Sequence, residues 1–176
     1  MRDLLSLEYP PGHGCSLVGI DLDPESLALA LELSVELAPS AAVVLRRADA
    51  WALEDVEAFS LITSSGLNVY EPDRAKVHEL YKVFWRALRP GGVLVTSVLT
   101  YPPGCDQPSG WDLTAIDRSD LEFESLLFHD ILEVKWKNFR SEADLRFEFE
   151  QAGFVEIEVH FDRARMFPTI VAYKPR

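Results

Sequence analysis

The 176-residue sequence contains few cysteines, few basic residues and no long apolar run. Its two cysteines, Cys15 and Cys105, show no Cys-x-x-Cys spacing, and with no recognisable signal peptide this favours a reducing compartment. Lysine and arginine number 17 against 29 acidic residues, and the net charge of −12 disfavours binding to nucleic acids or anionic membranes. No apolar run approaches the roughly 20 residues that cross a bilayer. We therefore predict a cytoplasmic protein without nucleic-acid or membrane partners.

Apolar residues make up 48% of the chain and aromatic residues 11%, a composition typical of a globular protein. The length fits one domain whose core is large enough to be stable without disulfides. We therefore predict a single domain over residues 1–176.

The first part of the chain alternates strands with helices. "SLVGIDLDPESLALALEL" gives a strand over Leu17–Leu22, followed by a helix for which Asp23 is the N-cap and Pro24 the first helical position. Further strands are predicted over Ala42–Arg46, over Phe59–Thr63 and at "VLVTSVL", and a further helix from about Asp73 to Leu88. Strands joined by helical crossovers form parallel sheets.

The second part has a different pattern. A Pro/Gly loop over 101–110 leads to a helix from about Asp120 to Leu132, and "SEAD" at Ser141 begins a further helix that ends at Gly153. The alternating strand "FVEIEVHF" and the strand in "MFPTIVAY" follow, with a short connection between them. This pattern predicts a C-terminal antiparallel hairpin at one edge of the sheet.

Two acidic residues follow predicted strands at the edge where ligands bind in open α/β sheets. Asp21 ends the first strand, and its carboxylate can accept hydrogen bonds from both hydroxyls of a ribose, with Leu22 against a purine face. Asp49 follows the next strand and can accept from an exocyclic amine, while the Ala50 N–H meets a ring nitrogen. The alternative is that both acids only turn or cap the chain, as Asp23 does.

Five stretches, taken in order, resemble consecutive motifs of class I S-adenosylmethionine-dependent methyltransferases. They are "VGIDLDPESL", "RRADAWAL", "FSLITSSGLNVYEPD", "ALRPGGVLVTSVL" and "EQAGFVEIEVHF". The resemblance implies an α/β fold, a three-layer Rossmann-like sheet that is mostly parallel with a C-terminal antiparallel hairpin. It also implies S-adenosylmethionine as the cofactor. One minor departure is Ser60, which replaces an acidic residue that the family usually has near the start of the fourth strand.

The resemblance implies a role for each matching residue. Asp21 would bind the ribose, Leu22 would contact adenine, and Asp49 and Ala50 would bind the adenine edge. The loop after the next strand would lie near the methionine end and the reacting methyl group; it comprises Ser64, Ser65, Gly66 and Leu67. Residues 101–140 would form a substrate-side loop and helix insertion. The residues in regions where the family builds its acceptor pocket are Asn68, Tyr70, Arg74, Tyr101 and Trp111.

The major departure from the family is at the front of the chain. The family's first strand and its glycine-rich loop do not precede Asp21, so the first strand of the sheet is expected to be missing. "GHG" at 12–14 lies too close to Asp21 to leave room for a helix, and "MRDLLSLEY" resembles the helix that follows such a loop. Either Met1 is an internal methionine of a longer or truncated chain, or the chain is natural and the gap is filled by a rearrangement, by a swapped partner or by nothing. In the second case the alternative is a chain that does not bind the cofactor.

The candidate catalytic residues are His129, as a general base, and Tyr70; the alternative for His129 is a structural role. The four histidines show no metal-binding spacing, so no metal is predicted. We predict methyl transfer to a small-molecule acceptor by a chain that can form a homo-oligomer. The alternatives are a binding or partner protein on a methyltransferase-like scaffold without activity, and a nicotinamide-dependent oxidoreductase.

Overall fold

A computed structural model describes residues 2–5, 15–37, 41–131, 133 and 138–176. The chain divides into two compact units, Met1–Glu54 and Asp55–Arg176. We call them unit 1 and unit 2. The predicted turn "PPGHG" lies outside the described residues.

Unit 1 contains a parallel pair of strands with a helix between them. Leu5 and Leu17 form a buried apolar cluster in this unit, and Leu33 and Val43 pack against them. The strands pair in register from Ser16 opposite Ala42 to Asp21 opposite Arg47, which confirms the predicted crossover. Its elements are α1 (Arg2–Leu5), β1 (Ser16–Asp21), α2 (Pro24–Leu37) and β2 (Ala42–Arg47).

Unit 2 contains a four-stranded sheet in the order β3-β4-β8-β7. β3 and β4 are parallel, whereas β8 runs antiparallel to both β4 and β7, so the predicted C-terminal hairpin at a sheet edge is confirmed. The elements are β3 (Phe59–Ser64), α3 (Arg74–Ala87), β4 (Leu88–Ser97), β5 (Leu99–Thr100), α4 (Arg118–Ser125), β6 (Phe139–Arg140), α5 (Glu142–Gln151), β7 (Val155–His160) and β8 (Thr169–Tyr173).

The core of unit 2 follows the helical spacing of α3. The predicted apolar face of this helix is fully buried; it comprises Val77, Leu80, Tyr81 and Phe84. Asp73 caps the helix, because its carboxylate accepts a hydrogen bond from the Ala75 N–H at 2.9 Å. Leu94 in β4 and Phe149 in α5 are also completely buried. The mixed α/β class predicted from the sequence is therefore observed.

Two elements differ from the prediction. The helix expected from about Asp120 begins at Arg118, because Asp117 caps it, and the α-helix ends at Ser125 before a π-helical turn over Leu126–Ile131. In addition, β5 and β6 form a parallel pair of two residues each, with Thr100 opposite Arg140, which was not predicted. Strands this short carry no alternating pattern that a sequence could reveal.

Candidate functional site

In unit 1, Asp21 and Asp49 lie at the same edge of the β1–β2 pair. The Asp21 carbonyl accepts a hydrogen bond from the Ala48 N–H at 3.1 Å, which continues the parallel pairing one residue beyond β2. A side chain also links the two strand ends at this edge: Nε of Arg47, the last residue of β2, donates to the Leu22 carbonyl at 3.0 Å. The carboxyl ends of both strands therefore present an acidic residue at one edge, as the sequence predicted.

Asp21 and Asp23 have different roles in the turn after β1. One oxygen of Asp21 accepts from the Asp23 N–H at 2.9 Å, and its other oxygen has no hydrogen bond within the described chain. Asp23 caps α2, since its carboxylate accepts from the Glu25 N–H at 3.0 Å and the Ser26 hydroxyl at 2.8 Å. The Ser26 hydroxyl bond lowers the pKa of Asp23. Asp21 thus keeps a free carboxylate oxygen for a ligand.

Leu22 presents an apolar surface beside Asp21. The residue is 61% exposed. A flat apolar ring that lies against it would cover surface that water now contacts. This exposure fits the predicted contact with a purine.

Asp49 has a structural role as well as a predicted binding role. Its Oδ1 accepts from the Trp51 N–H at 2.9 Å, and it is the N-cap of a short 3₁₀ helix over Ala50–Ala52. The Ala50 N–H makes no hydrogen bond among the described residues. The capping alternative weighed for Asp49 is therefore correct in part, and one carboxylate oxygen and the Ala50 N–H stay available.

In unit 2, the loop over Ser64–Leu67 begins where β3 ends. The Ser64 carbonyl accepts from the Thr96 hydroxyl at 2.8 Å, which fixes the start of the loop to β4. Gly66 has φ +76°, a left-handed conformation that favours glycine. A Cβ at this position would lie 3.7 Å from the Ser97 hydroxyl oxygen, an ordinary contact, so the backbone conformation rather than crowding requires glycine.

Asn68 is buried rather than facing an open pocket. Only 4% of it is exposed, and its Nδ2 donates to the Tyr81 hydroxyl at 2.9 Å. The Asn68 carbonyl accepts from Nδ2 of Asn138 at 2.8 Å. Tyr81 stacks on Phe149 with ring centroids 4.4 Å apart, and burial raises the pKa of its hydroxyl. Tyr81 therefore stays protonated near neutral pH and does not act as a base.

Three other acceptor-side candidates lie near β5. Nη2 of Arg74 donates to the Tyr101 hydroxyl at 3.1 Å, and Nη1 lies 3.9 Å from an Asp144 carboxylate oxygen. Trp111 Nε1 donates to the hydroxyl of Thr100, the residue before Tyr101, at 2.9 Å. The structure thus brings Arg74 and Tyr101 into contact and holds Trp111 against the neighbouring residue.

The two candidate catalytic residues are placed differently. Tyr70 is 59% exposed and directly follows the 3₁₀ turn over Leu67–Val69. His129 lies in the π-helical turn after α4, and its side chain is outside the described part of the structure. Both remain predictions. No group of three or more histidine, cysteine or acidic side chains that could hold a metal ion occurs among the described residues.

Sequence reasoning missed a buried ion pair in unit 2. Nε of Arg140 contacts both carboxylate oxygens of Glu148 at 2.7 and 2.9 Å, and Arg140 is 3% exposed. Its Nη1 donates to the Phe139 carbonyl at 3.0 Å. Arginine is mostly a surface residue, so the sequence gives no reason to expect a buried arginine here. The pairing of β6 with β5, which the sequence did not predict, is needed to place Arg140.

A family model described as "Methyltransferase domain" matches residues 4–96, more than half of the chain. The chain belongs to this methyltransferase-domain family. The match runs from α1 through Asp21 and Asp49 in unit 1 to β4 of unit 2. A comparison with curated proteins gave no significant match.

Solved structures support the same fold. A Bordetella parapertussis protein described as a possible exported protein is 47% identical, with a TM-score of 0.90, over 99% of this chain and 58% of that chain. The methyltransferase-domain chain therefore spans little more than half the length of this relative. A Methanosarcina mazei S-adenosylmethionine-dependent methyltransferase is 16% identical, with a TM-score of 0.64, over 98% of this chain and 85% of that chain.

A third similar structure contains bound molecules. It is Haemonchus contortus phosphoethanolamine N-methyltransferase 2, in complex with phosphomonomethylethanolamine and S-adenosylhomocysteine. It is 15% identical with a TM-score of 0.60, over 95% of this chain and 51% of that chain. At this identity the likeness concerns the fold alone. In the described parts of this methyltransferase-domain chain, no helix is long and apolar enough to span a membrane.

Proposed function

We propose that the chain binds S-adenosylmethionine and transfers its methyl group to a small-molecule acceptor. The observation that carries this proposal is the pair of exposed acids, Asp21 and Asp49, which the Ala48–Asp21 hydrogen bond brings to one edge of β1 and β2. Membership of the methyltransferase-domain family supports the reaction class.

The residues at this edge fit the adenosine part of the cofactor. A ribose diol offers two O–H donors, and the exposed carboxylate of Asp21 has an oxygen free to accept them. Adenine offers an amine donor and a ring-nitrogen acceptor, which match the carboxylate of Asp49 and the N–H of Ala50. Leu22 supplies an apolar surface for the ring. Asp21, Leu22, Asp49 and Ala50 would therefore hold the nucleoside.

For the loop over Ser64–Leu67 in unit 2, the family resemblance implies a position near the methionine end of the cofactor. The left-handed Gly66 exposes backbone without a side chain, and the Ser64 carbonyl is fixed to β4 by Thr96. Bound S-adenosylmethionine supplies a methyl group on a positively charged sulfur. The protein's contribution is to place the acceptor in line with that methyl and to exclude water, which can suffice for a good nucleophile.

The acceptor side combines a cation with aromatic rings. Arg74 and Tyr101 contact each other, and Trp111 is held beside them by Thr100. The net charge of −12 disfavours polyanionic acceptors such as nucleic acids. The Haemonchus contortus relative was solved with a small acceptor, phosphomonomethylethanolamine. These observations favour a small molecule; Asn68, which is buried, would not contact it directly.

Calorimetric titration of the full chain with S-adenosylhomocysteine tests the proposal. We expect heat of binding and a higher melting temperature, since a ligand that binds only the folded state stabilises it. NAD is the matched control, because it carries the same adenosine but not the amino-acid end. Binding of neither compound would favour a scaffold without activity, and binding of NAD alone would favour an oxidoreductase.

We also propose a cytoplasmic location, which the free thiols of Cys15 and Cys105 support. The Bordetella parapertussis relative is described as a possible exported protein. Fractionation of cells that produce the native protein distinguishes the two compartments.

A further inference from the structure

Three polar side chains in unit 2 form a buried network around the 3₁₀ turn over Leu67–Val69. Asn68 lies in this turn, Tyr81 in α3 and Asn138 directly before β6, and each is at most 4% exposed. Two hydrogen bonds link them: Asn68 Nδ2 to the Tyr81 hydroxyl at 2.9 Å, and Asn138 Nδ2 to the Asn68 carbonyl at 2.8 Å. We call these residues the asparagine network.

The asparagine network holds the loop after β3 from two sides. Tyr81 binds the Asn68 side chain from α3, and Asn138 binds its backbone from the segment before β6. The turn is also closed internally, since the Val69 N–H donates to the Gly66 carbonyl at 2.9 Å. A displacement of Asn68 would therefore move Gly66 and Leu67 as well.

The asparagine network stabilises the fold less than apolar side chains in the same space would. Oδ1 of Asn68 and Oδ1 of Asn138 are buried, and neither atom has a hydrogen-bond partner among the residues that the structure describes. A buried polar atom without a partner costs stability, and apolar side chains of similar shape would avoid that cost. Directional hydrogen bonds, however, fix one backbone position more sharply than apolar contacts do. The arrangement therefore favours a role in geometry over a role in stability.

We propose that Asn138 is a positioning residue, which acts through the Asn68 carbonyl to hold the Ser64–Leu67 loop in the shape that receives the amino-acid end of the cofactor. This inference rests on the proposed function. Asn138 does not touch the cofactor in this role; it holds Asn68 in place, and the loop makes the contact. Tyr81 acts in the same way from the other side.

Two probes of different length test this role in the full chain. S-adenosylhomocysteine carries adenosine and the amino-acid end, whereas 5′-methylthioadenosine carries the nucleoside and a methylthio group but no amino-acid end. Three variants alter the asparagine network. Asn138→Ala removes the amide that donates to the Asn68 carbonyl, and Asn138→Asp replaces this amide by a carboxyl group of similar size. Tyr81→Phe removes the hydroxyl that accepts from Asn68 but keeps the ring that stacks on Phe149. Calorimetry gives a Kd for each probe and variant.

We expect the Kd for S-adenosylhomocysteine to rise about tenfold in each variant, and the Kd for 5′-methylthioadenosine to change by less than about twofold. Leu88→Ala is the control for lost stability. Leu88 is completely buried at the start of β4, the opposite end of that strand from the loop. This control should lower the melting temperature and leave the ratio of the two affinities unchanged.

An unchanged affinity ratio in Asn138→Ala and Tyr81→Phe, with a wild-type chain that binds both probes, would overturn the positioning role and leave the proposed function standing. A similar change of the ratio in Leu88→Ala would also overturn it, because the effect would then follow from lost stability. A wild-type chain that binds neither probe overturns the proposed function itself, and the positioning role with it.

Discussion

The backbone carbonyl of Asp21 accepts a hydrogen bond from the Ala48 N–H, so that Asp49 follows the last bond between β1 and β2 by one residue. Two carboxylates separated by a helix in the sequence therefore come to one edge of a parallel pair. Parallel pairing has this effect generally, because the carboxyl ends of both strands point the same way. The first two predictions concern the turn at this edge.

Asp21→Asn should weaken binding of S-adenosylhomocysteine by about tenfold or more, because an amide loses the charge that strengthens hydrogen bonds to a ribose diol. The fold should be unaffected, since the amide oxygen can still accept from the Asp23 N–H. Calorimetry and thermal unfolding measure the two effects. Glu25→Gln, at another exposed acid in the first turn of α2, is the matched control. Equal affinities of Asp21→Asn and wild type would refute the ribose role.

Asp23→Ala should have the opposite effects to Asp21→Asn. It should lower the stability of the fold and leave the Kd for S-adenosylhomocysteine unchanged. Its pKa is lowered by the Ser26 hydroxyl, so the ionised cap stabilises the fold above the ordinary carboxyl value of 3.8. That contribution is lost as the pH falls through the lowered pKa, because the cap then becomes protonated. Urea unfolding of wild type and variant should differ at neutral pH and converge once the pH is below the lowered pKa of Asp23. A difference that persists in acid would contradict the role of the charge.

Gly66→Ala should destabilise the fold by about 1 kcal/mol, because alanine is disfavoured in the left-handed region. No clash adds to this cost, since the new Cβ would lie 3.7 Å from the Ser97 hydroxyl oxygen. Gly104→Ala is the matched control, with φ +88° and nothing within 4 Å of its Cβ. Both variants should lose similar stability, and only Gly66→Ala should weaken binding of S-adenosylhomocysteine. If the two variants bind S-adenosylhomocysteine equally well, Gly66 does not belong to the cofactor site.

Glu148→Gln should cost about 3 kcal/mol, because it leaves the buried guanidinium of Arg140 without its counter-charge. Glu142→Gln on the same helix is the control: its bond to Arg146 is similarly short at 2.8 Å, but both side chains are more than 40% exposed. That variant should cost less than about 1 kcal/mol. Chemical denaturation gives both values. Equal losses would show that burial does not govern the strength of the Arg140–Glu148 pair.

The sequence predicted the local structure around Asp21 well, because its features are local. The Asp23–Pro24 helix start and the apolar run before Asp21 lie within a few residues of each other, and capping chemistry separates the roles of the two acids. The same locality made α3 predictable from its apolar spacing. Short-range patterns suffice where each element determines its own boundaries.

The acceptor half was less predictable, because its contacts join distant residues. Asn68 was expected to line a pocket, yet its side chain is buried against Tyr81, and its partner Asn138 lies 70 positions away. A motif locates the end of a strand but not the direction of a side chain in the turn that follows. Arg140 escaped prediction for the same reason, since its burial depends on the pairing of β6 with β5.

The pairing of β5 with β6 has an evolutionary consequence. Thr100 and Phe139 belong to adjacent strands, so the chain between them begins and ends at nearly the same place. The entropy of closing such an excursion rises only slowly with its length. Insertions and deletions there leave the two anchoring strands in place. The part of this segment after Trp111 and before Asn138 can therefore change in length, while the contacts of Trp111 with Thr100 and of Asn138 with Asn68 are kept.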